Sequence, residues 1–261
     1  MTTLTPMTLV LNPAEDIPEA FILDSASLRT KVSAQTPIRF TALSEPYISL
    51  PAPFERFHLG AMRQSDVPQD AAMMSDVRVA RALVGPAFPM PLVNTQRWLI
   101  RERSNVTGLF ADYGEGKFRP ALSAPFCILR ERLEDGTEVY VGQVTMYYCG
   151  EGEKRRTPVN DAWEEWRTRT HVWEIGAALR PEYHGKGLAS AAVNVVMNEW
   201  AVPQMGCTEV RAQCFMSNLG SVKLWEKHGF VEDPELRGVV NVPEAKGGGV
   251  EPDCVLIWHL K

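Results

Sequence analysis

The residues with the clearest chemical potential lie in one run, Leu179-Arg-Pro-Glu-Tyr-His-Gly-Lys-Gly-Leu-Ala189, between a predicted strand and a predicted helix. Glycines at 185 and 187 let the backbone turn tightly and leave no Cβ in the way of a ligand. The first amides of the following helix, together with its dipole, would attract an anion, and a pyrophosphate fits such a turn well. The alternative is a plain strand–helix turn that needs glycine for geometry alone, and this run by itself does not separate the two interpretations.

Two nucleotide-binding motifs are excluded by their spacing. A dinucleotide fingerprint needs a third glycine where the chain has Ser190, and its strand runs directly into the first glycine, whereas residues 180–184 intervene here. A phosphate-binding loop of the ATPase type needs Ser or Thr after its lysine, but Lys117 is followed by Phe118. The glycine turn is therefore not a dinucleotide fingerprint, and the run Gly114-Glu-Gly-Lys117 is not a phosphate-binding loop.

The block from Glu174 to Phe230 carries several linked motifs. They are Glu-Ile-Gly, Pro-Glu-Tyr-His-Gly-Lys-Gly-Leu-Ala, Asn-Leu-Gly-Ser and Leu-Trp-Glu-Lys-His-Gly-Phe, which end at Gly176, Ala189, Ser221 and Phe230. The block resembles the GCN5-related N-acetyltransferase (GNAT) family, and more narrowly its RimJ/RimL-like branch, and the resemblance extends from Phe54 to the end of the chain. It implies a mixed α/β fold whose central, mostly antiparallel sheet is splayed between two parallel strands and flanked by helices.

The resemblance also implies a clamp for an acyl-CoA. The family signature Gln/Arg-x-x-Gly-x-Gly/Ala maps onto residues 184–189, with His184 in place of Gln or Arg, and backbone amides there would hold the pyrophosphate of acetyl-CoA. The pantetheine arm would lie between predicted strands 172–179 and 208–215, where backbone groups near the end of the first strand would polarise the thioester carbonyl. The cofactor-binding residues predicted in this way are Ala177, Leu179, His184, Gly185, Lys186, Gly187, Leu188, Ala189, Asn218 and Ser221.

Two positions of the pattern have a second interpretation. Asn218 would hydrogen-bond the pantetheine, but it is also a suitable helix N-cap, and its side chain has enough donors and acceptors for both roles. Trp225 stands where many family members have a tyrosine that protonates the leaving thiolate. An indole cannot supply that proton, so the role is unfilled or belongs to another tyrosine; a thiol of pKa about 8.5 leaves reasonably well unprotonated.

Glu174 is the predicted general base, because the acceptor amine must be neutral to attack. A lysine-like amine of pKa about 10.4 is neutral in only about one molecule in 2,500 at pH 7, whereas roughly a tenth of an α-amine is neutral. Glu174 lies on the strand that ends at the acyl site and matches a glutamate of RimJ/RimL-like proteins, which can act through water. The alternative is an exposed or ion-paired carboxylate without a catalytic role.

Other candidates are weaker. Trp163 and Trp166 lie in a polar insertion that borders the acceptor entrance in this family, where they would form an aromatic lid over a cationic amine; covering an apolar patch is the alternative. The histidines, His58, His171, His228 and His259 among them, are scattered without ligand spacing, so we expect no metal site.

The composition limits the partners. The chain has 261 residues, and 27 basic against 32 acidic residues give a formal net charge of -5, so no general basic field for nucleic acid is expected. No run of about 20 apolar residues exists, and we therefore predict no membrane-spanning segment. The five cysteines show no CxxC spacing, which favours buried free thiols in a reducing compartment, so we expect a cytoplasmic protein.

The elements that must position the glycine turn alternate between strands and helices. Helices are predicted at 66–84, 93–104 (capped by Asn94 or Thr95), 186–201 and 218–228, with a loop at 111–120. Strands are predicted at 54–63, 125–132, 138–148, 172–179, 208–215 and 255–260. Residues 1–53 predict a proline-rich N-terminal extension, and 54–261 predict one acetyltransferase domain with insertions at 150–170 and 232–252, the second expected to be mobile.

The sequence thus predicts an acetyl-CoA-dependent N-acetyltransferase in which a primary amine attacks the thioester directly. The acceptor would be an amine-bearing small molecule or the N-terminus of a peptide or protein. The alternative is a catalytically silent acyl-CoA-binding module, which the tryptophan at position 225 keeps open. Dimers are common in the family, so a homodimer is a further expectation that the resemblance carries.

Overall fold

The structure is a computed structural model of the chain, and it describes residues 17–83, 85–117, 124–150 and 171–260. A π-helical turn, Val196–Ala201, joins α5 to α6, so the helix predicted at 186–201 runs from residue 188 to residue 205. No helix within the described ranges is both long enough and apolar enough to cross a membrane. The helices are α1 (Ala26–Gln35), α2 (Asp66–Met74), α3 (Val77–Ala80), α4 (Leu92–Gly114), α5 (Leu188–Val195), α6 (Val202–Met205) and α7 (Leu219–Lys227).

The strands form one sheet. They are β1 (Arg39–Phe40), β2 (Pro46–Ser49), β3 (Phe57–Gly60), β4 (Ile128–Arg132), β5 (Glu138–Gly150), β6 (Val172–Leu179), β7 (Glu209–Phe215), β8 (Val231–Glu232), β9 (Gly238–Asn241) and β10 (Val250–His259). Their order is β1-β2-β3-β4-β5-β6-β7-β10-β8, with β9 paired to β10. Among these strands β6 and β7 are parallel and the other neighbours are antiparallel, which confirms the predicted fold class.

The parallel strands β6 and β7 part after three residue pairs. Val172–Glu174 pairs with Glu209–Arg211, and beyond this point β6 pairs with β5 alone while β7 pairs with β10 alone. Because each buried backbone amide and carbonyl needs a partner, the groups of residues 175–179 that face β7 are open to another molecule, apart from the Leu179 carbonyl, which accepts from His184. The splay is therefore a gap with polar backbone along one wall.

Buried leucines anchor both ends of the glycine turn. Leu179 closes β6 and Leu188 opens α5, and both side chains are buried in the main core, where Trp173 and Trp200 are the largest side chains without exposure. Burying one leucine side chain stabilises the fold by about 1.5–3 kcal/mol. The turn is thus held between two packed elements, although its own residues 184–187 are exposed or half-exposed.

Part of the predicted N-terminal extension is built into the sheet. Residues 36–50 supply β1 and β2, and β2 continues the sheet by pairing with β3. The Arg63 guanidinium joins this segment to the core, because it contacts Glu45 and Glu138 at 2.6 Å each. Residues 21–23 form no strand. The domain boundary at residue 54 stays a prediction, and residues 1–16 lie outside the described part.

The two helices that pack beside β5 differ from their predicted bounds. The helix predicted at 66–84 is divided, because Asp76 caps a new helix by accepting from the Arg78 amide at 2.9 Å. The helix predicted at 93–104 begins one residue earlier, after Pro91, and extends through part of the predicted loop to Gly114. Thr95 is therefore not its cap; the Thr95 hydroxyl donates to Asp70 instead, at 3.3 Å.

The predicted mobile insertion at 232–252 folds as a hairpin. β9 pairs with the first half of β10, so β10 begins at Val250 rather than at 255. Lys246 is buried in this hairpin and its Nζ donates to the Leu83 carbonyl at 3.0 Å, while burial lowers its pKa. The periodicity missed the hairpin because its apolar residues, such as Val239, are exposed. The other predicted insertion, 150–170, lies outside the described residues apart from Gly150.

Candidate active site

Two cavities meet at the splay of β6 and β7. The first, called the turn cavity, has a volume of about 550 Å³ and is lined by the glycine turn, the end of β6 and the start of α7. The second, called the strand cavity, has a volume of about 590 Å³ and is lined by β5, β6 and residues of α2 and α4. Gly176, Ala177, Ala178 and Gln213 line both, so the two spaces touch where the strands diverge.

The glycine turn presents a series of free amides to the turn cavity. Gly185 and Gly187 have φ values of 71° and 77°, a left-handed conformation that glycine adopts without strain. The His184 amide donates to the Pro181 carbonyl, and the Ala191 amide donates to the Gly187 carbonyl. The amides of residues 185–190 lie between these two, and no backbone carbonyl of the described residues accepts from them. Unpaired amides at a helix N-terminus form an anion site.

The side chain of His184 turns back into the protein. Its Nε2 lies 2.8 Å from the Leu179 carbonyl and, as an N–H, donates to it, so the ring ties the turn to the end of β6. The departure from Gln or Arg at this position therefore leaves the backbone of the turn in place. Lys186 lies over the Tyr183 ring, with Nζ 5.4 Å from the ring centroid, which keeps a positive charge beside the turn.

Sequence reasoning missed further basic residues around the turn cavity. Arg78 of α3 and Lys223 and Lys227 of α7 line it. Arg78 comes from a helix about a hundred residues before the turn, and its own neighbourhood carries no binding motif. These charges make the turn cavity favourable for a ligand with several phosphates.

Asn218 caps α7 and ties it to another part of the wall. Its Oδ1 accepts from the Ser221 amide at 3.1 Å, and its Nδ2 donates to the Ala82 carbonyl at 3.3 Å. The Ser221 hydroxyl in turn accepts from the Trp225 indole at 3.1 Å. Trp225 is buried against Phe230 and forms part of the cavity wall. Asn218 is thus the N-cap of α7 in the structure, and its contact with pantetheine stays a prediction.

Tyr183 lines the turn cavity but is poorly placed as an acid. Its hydroxyl donates to Glu131 at 2.7 Å, and burial together with that carboxylate raises the pKa of Tyr183 to about 12. It also belongs to the glycine turn, away from the junction of the two cavities. Tyr183 is the one tyrosine among the described residues that line the turn cavity, and its hydroxyl is bonded to Glu131.

Three cross-strand pairs form the floor of the strand cavity. Tyr147 lies opposite Glu174, Thr145 opposite Gly176, and Gln143 opposite Ala178, and all six residues line the cavity. Since side chains two residues apart point to the same face of a strand, these six share one face. Gly176 has no side chain, and the floor is consequently open at its centre.

Glu174 lies at the outer end of this floor. It is exposed, and its Oε2 lies 3.8 Å from the Cys149 thiol. Next to it, the Arg101 guanidinium of α4 lies over the Tyr147 ring, 4.8 Å from the centroid, and its Nε is 3.2 Å from Glu102. Among the described residues Glu174 forms no ion pair, and because it is exposed, the general-base role stays a prediction beside the alternative of an exposed carboxylate without a catalytic role.

Asp70 of α2 is a buried carboxylate at the inner end of the strand cavity, and no motif pointed to it. It accepts hydrogen bonds from the Tyr140 hydroxyl at 2.7 Å, from Gln143 Nε2 at 3.2 Å and from the Thr95 hydroxyl at 3.3 Å. Burial raises the pKa of Asp70 to about 6 despite these donors, with a smaller contribution from Asp66. Tyr140 and Gln143 come from β5, so this cluster depends on the packing of α2 against the sheet.

Two further predictions concern the surroundings of the site. Trp163 and Trp166 lie outside the described residues, so the aromatic lid stays a prediction. Within the described residues no group of histidine, cysteine and carboxylate side chains could hold a metal ion. The described histidines have other partners: His58 lies 3.4 Å from Glu138, and His228 lies 3.0 Å from the Ser190 hydroxyl.

The family comparison matches most of this region. A family model described as an acetyltransferase (GNAT) domain matches residues 56–231, which is more than half of the chain. The match contains the glycine turn, both parallel strands and α7. No curated protein sequence matches the chain.

Solved structures share the fold at low sequence identity. A GNAT-family acetyltransferase from Bacillus anthracis is 16% identical, with a TM-score of 0.50 over 82% of this chain and 98% of that chain. RimL, the ribosomal L7/L12 α-N-protein acetyltransferase, in complex with coenzyme A is 13% identical, with a TM-score of 0.50 over 82% and 98%. The ribosomal-protein-S5-alanine acetyltransferase from Vibrio fischeri is 18% identical, with a TM-score of 0.50 over 79% and 94%.

The splayed sheet and the glycine turn at the start of α5 lie within the region that matches the acetyltransferase domain model, and this match places the protein among the acetyltransferases. The chain belongs to the GNAT family, as the motifs between Glu174 and Phe230 predicted, and the protein is an N-acetyltransferase. At these identities the solved structures support the fold and do not identify the acceptor.

Proposed function

We propose that the protein transfers an acetyl group from acetyl-CoA to a primary amine by direct attack of the amine on the thioester. The observation that carries this proposal is the junction of the turn cavity and the strand cavity at Gly176, Ala177 and Ala178. The turn cavity suits a phosphate-bearing coenzyme. The strand cavity contains the carboxylate of Glu174, which belongs to β6, the strand that lines both cavities. Two substrates entering from opposite sides would meet at that junction.

The turn cavity fits the coenzyme in two respects. The free amides at 185–190 would hold the pyrophosphate, and Lys223 and Lys227 would add positive charge for the remaining phosphate. The amides and carbonyls of β6 that face the splay would pair with the pantetheine as an added strand does. The RimL structure of similar fold is a complex with coenzyme A, which supports this placement.

Glu174 would accept the proton of the amine, directly or through water. The neutral amine then attacks the thioester carbonyl carbon, and the new C–N bond forms as charge moves onto the carbonyl oxygen. Backbone amides near Ala177 and Leu179 would stabilise that oxygen. The C–S bond breaks with release of the coenzyme thiolate. The nitrogen of the new amide gives up its extra proton to water, and the thiolate takes up a proton from water since Trp225 has none to give.

A catalytically silent acyl-CoA-binding module is the second candidate. The indole at position 225, where many relatives have a tyrosine, favours it. This candidate predicts binding of acetyl-CoA with no acceptor consumed, whereas the enzyme consumes both substrates in equal amounts.

Calorimetric titration with acetyl-CoA and a thiol-release assay over a panel of amines test the proposal together. The panel contains alaninamide, peptides with a free α-amine, and Nα-acetyl-lysinamide. Binding of acetyl-CoA with thiol release that depends on one of these amines supports the enzyme. Binding without amine-dependent release over the whole panel supports the silent module, and absence of binding contradicts both candidates.

A further inference from the structure

Gln143 occupies the place where the acyl group and the amine would meet. It lies opposite Ala178, and Ala178 lines both cavities, whereas Glu174 lies about 13 Å further along the strand at roughly 3.3 Å per residue. Gly176 lies midway between these two levels and leaves the floor open. A Cβ added at Gly176 would lie 3.5 Å from Thr145 Oγ1. The side chains of β5 therefore lie on the same face of the sheet as the gap at Gly176.

The amide of Gln143 has a defined orientation. Its nitrogen lies 3.2 Å from Asp70 Oδ1, and an ionised carboxylate can only accept, so the NH₂ group must face Asp70. The oxygen, Oε1, therefore points away from Asp70, and no donor within the described part of the chain bonds to it. Asp70 in turn is held by the Tyr140 hydroxyl at 2.7 Å and is buried. The network thus presents one amide oxygen beside the strand cavity.

We propose that Gln143 Oε1 accepts an N–H of the acceptor amine and that Asp70 is the positioning residue that fixes this orientation. The inference rests on the proposed function and assigns the preference for a primary amine to the Gln143 side chain. A neutral primary amine directs its lone pair at the thioester and has two N–H bonds. One would go to Gln143 and the other to water that leads to Glu174, because the two residues lie too far apart along the sheet to bind one nitrogen directly. An N-methyl amine has a single N–H and loses one of these partners.

A neutral amide suits this position better than a second carboxylate. A carboxylate would favour the ammonium form and raise the pKa of the bound amine, which opposes attack. An amide oxygen binds the N–H with less preference for the charged form. Gln143 would therefore orient the amine after Glu174 has removed its proton.

The test compares primary amines with their N-methyl derivatives. Alaninamide, a hexapeptide with a free α-amine and Nα-acetyl-lysinamide are each assayed beside the N-methylated counterpart, for the natural chain, Gln143→Met, Asp70→Asn and the double variant. Methionine has nearly the shape of glutamine but accepts hydrogen bonds poorly. Gln204→Met is the matched control, since residue 204 lies on α6 and lines neither cavity.

We expect the natural chain to prefer the primary amine, and Gln143→Met to reduce that preference in kcat/KM by about tenfold. Tenfold corresponds to about 1.4 kcal/mol, the scale of one hydrogen bond. The Kd for coenzyme A should stay unchanged. Asp70→Asn should reduce the preference when Gln143 is present and have no further effect on it in the Gln143→Met background.

An unchanged preference in Gln143→Met overturns the proposal, as does a loss of coenzyme affinity without a change in preference, because that result indicates a structural role. An additive effect of Asp70→Asn in the double variant removes Asp70 as the positioning residue. If Gln143→Met fails to fold, the preference measured in Asp70→Asn decides. If no amine of the panel causes thiol release by the natural chain, the proposed function itself is contradicted. That outcome differs from a failure of this inference alone, in which thiol release occurs and the preference is unchanged in Gln143→Met.

Discussion

Gly142 on β5 lies so close to Leu179 on β6 that a Cβ at residue 142 would come within 2.7 Å of the Leu179 Cα and 2.3 Å of the Ala178 carbonyl oxygen. Both contacts are with backbone, which cannot move aside as a flexible side chain does. This close approach positions the last residues of β6, where the two cavities meet. No motif in the sequence marks Gly142.

Gly142→Ala should therefore displace the end of β6. We expect the free energy of unfolding to fall by about 1–3 kcal/mol, the usual cost of overpacking, and kcat/KM for acetyl-CoA to fall with it. Urea denaturation and steady-state kinetics measure the two effects. Gly108→Ala is the control, because no atom lies within 4 Å of its added Cβ and alanine favours a helix. Equal stability of the two variants would contradict the role assigned to Gly142.

Gly187→Glu should abolish the binding of acetyl-CoA. The substitution places a negative charge among the free amides at 185–190, and we expect Kd from calorimetry to rise roughly a hundredfold or more. Glutamate at φ 77° is also strained, so a control must carry the same strain elsewhere. Gly116→Glu does so, since Gly116 has φ 76° and lines neither cavity. Similar affinities of both variants would show that the turn is structural.

Glu174→Gln should slow acetyl transfer most near neutral pH. Loss of a general base typically costs on the order of 100-fold, and the rate should partly recover as rising pH deprotonates the amine without help. The pH profile of kcat/KM for the amine is the measurement, and Glu134→Gln in the exposed hairpin turn is the control. A profile that matches the natural chain at every pH would remove Glu174 from the mechanism.

Asp70 should make the free energy of unfolding fall as pH rises, whereas a salt-bridged carboxylate makes it fall as pH decreases. Its pKa is raised from 3.8 to about 6, so the folded state binds its proton more tightly than the unfolded state. The resulting stabilisation is present in full below pH 4 and is lost as pH rises through 6. It amounts to about 3 kcal/mol at most.

Asp70→Asn removes this titration. We expect the difference in unfolding free energy between the natural chain and Asp70→Asn to shift against the natural chain between pH 4 and pH 7. Urea denaturation at several pH values measures the shift, and the slope is informative even though Asn alters the hydrogen bonds to Tyr140 and Gln143. A constant difference across this range would mean that Asp70 titrates normally in the folded chain.

The sequence predicted correctly those features that depend on a few neighbouring residues. The glycine turn, β6 and the cap at Asn218 are each local, because the backbone conformation of glycine and the capping of a helix depend on a few adjacent residues. Helix ends were predicted less well. Threonine is a residue type that commonly caps helices. The packing of α4 against α2 nevertheless places Thr95 inside the helix, where its hydroxyl donates to Asp70.

The sequence by itself determined the family and the place of the turn, since these depend on residue types at fixed short spacings between Glu174 and Phe230. The tertiary structure alone decided which side chains surround the junction of the cavities. Asp70, Gln143 and Glu174 come from α2, β5 and β6, which are far apart along the chain. They line one cavity because β6 and β7 diverge after Glu174 and because α2 packs on β5, and no local pattern encodes either relationship.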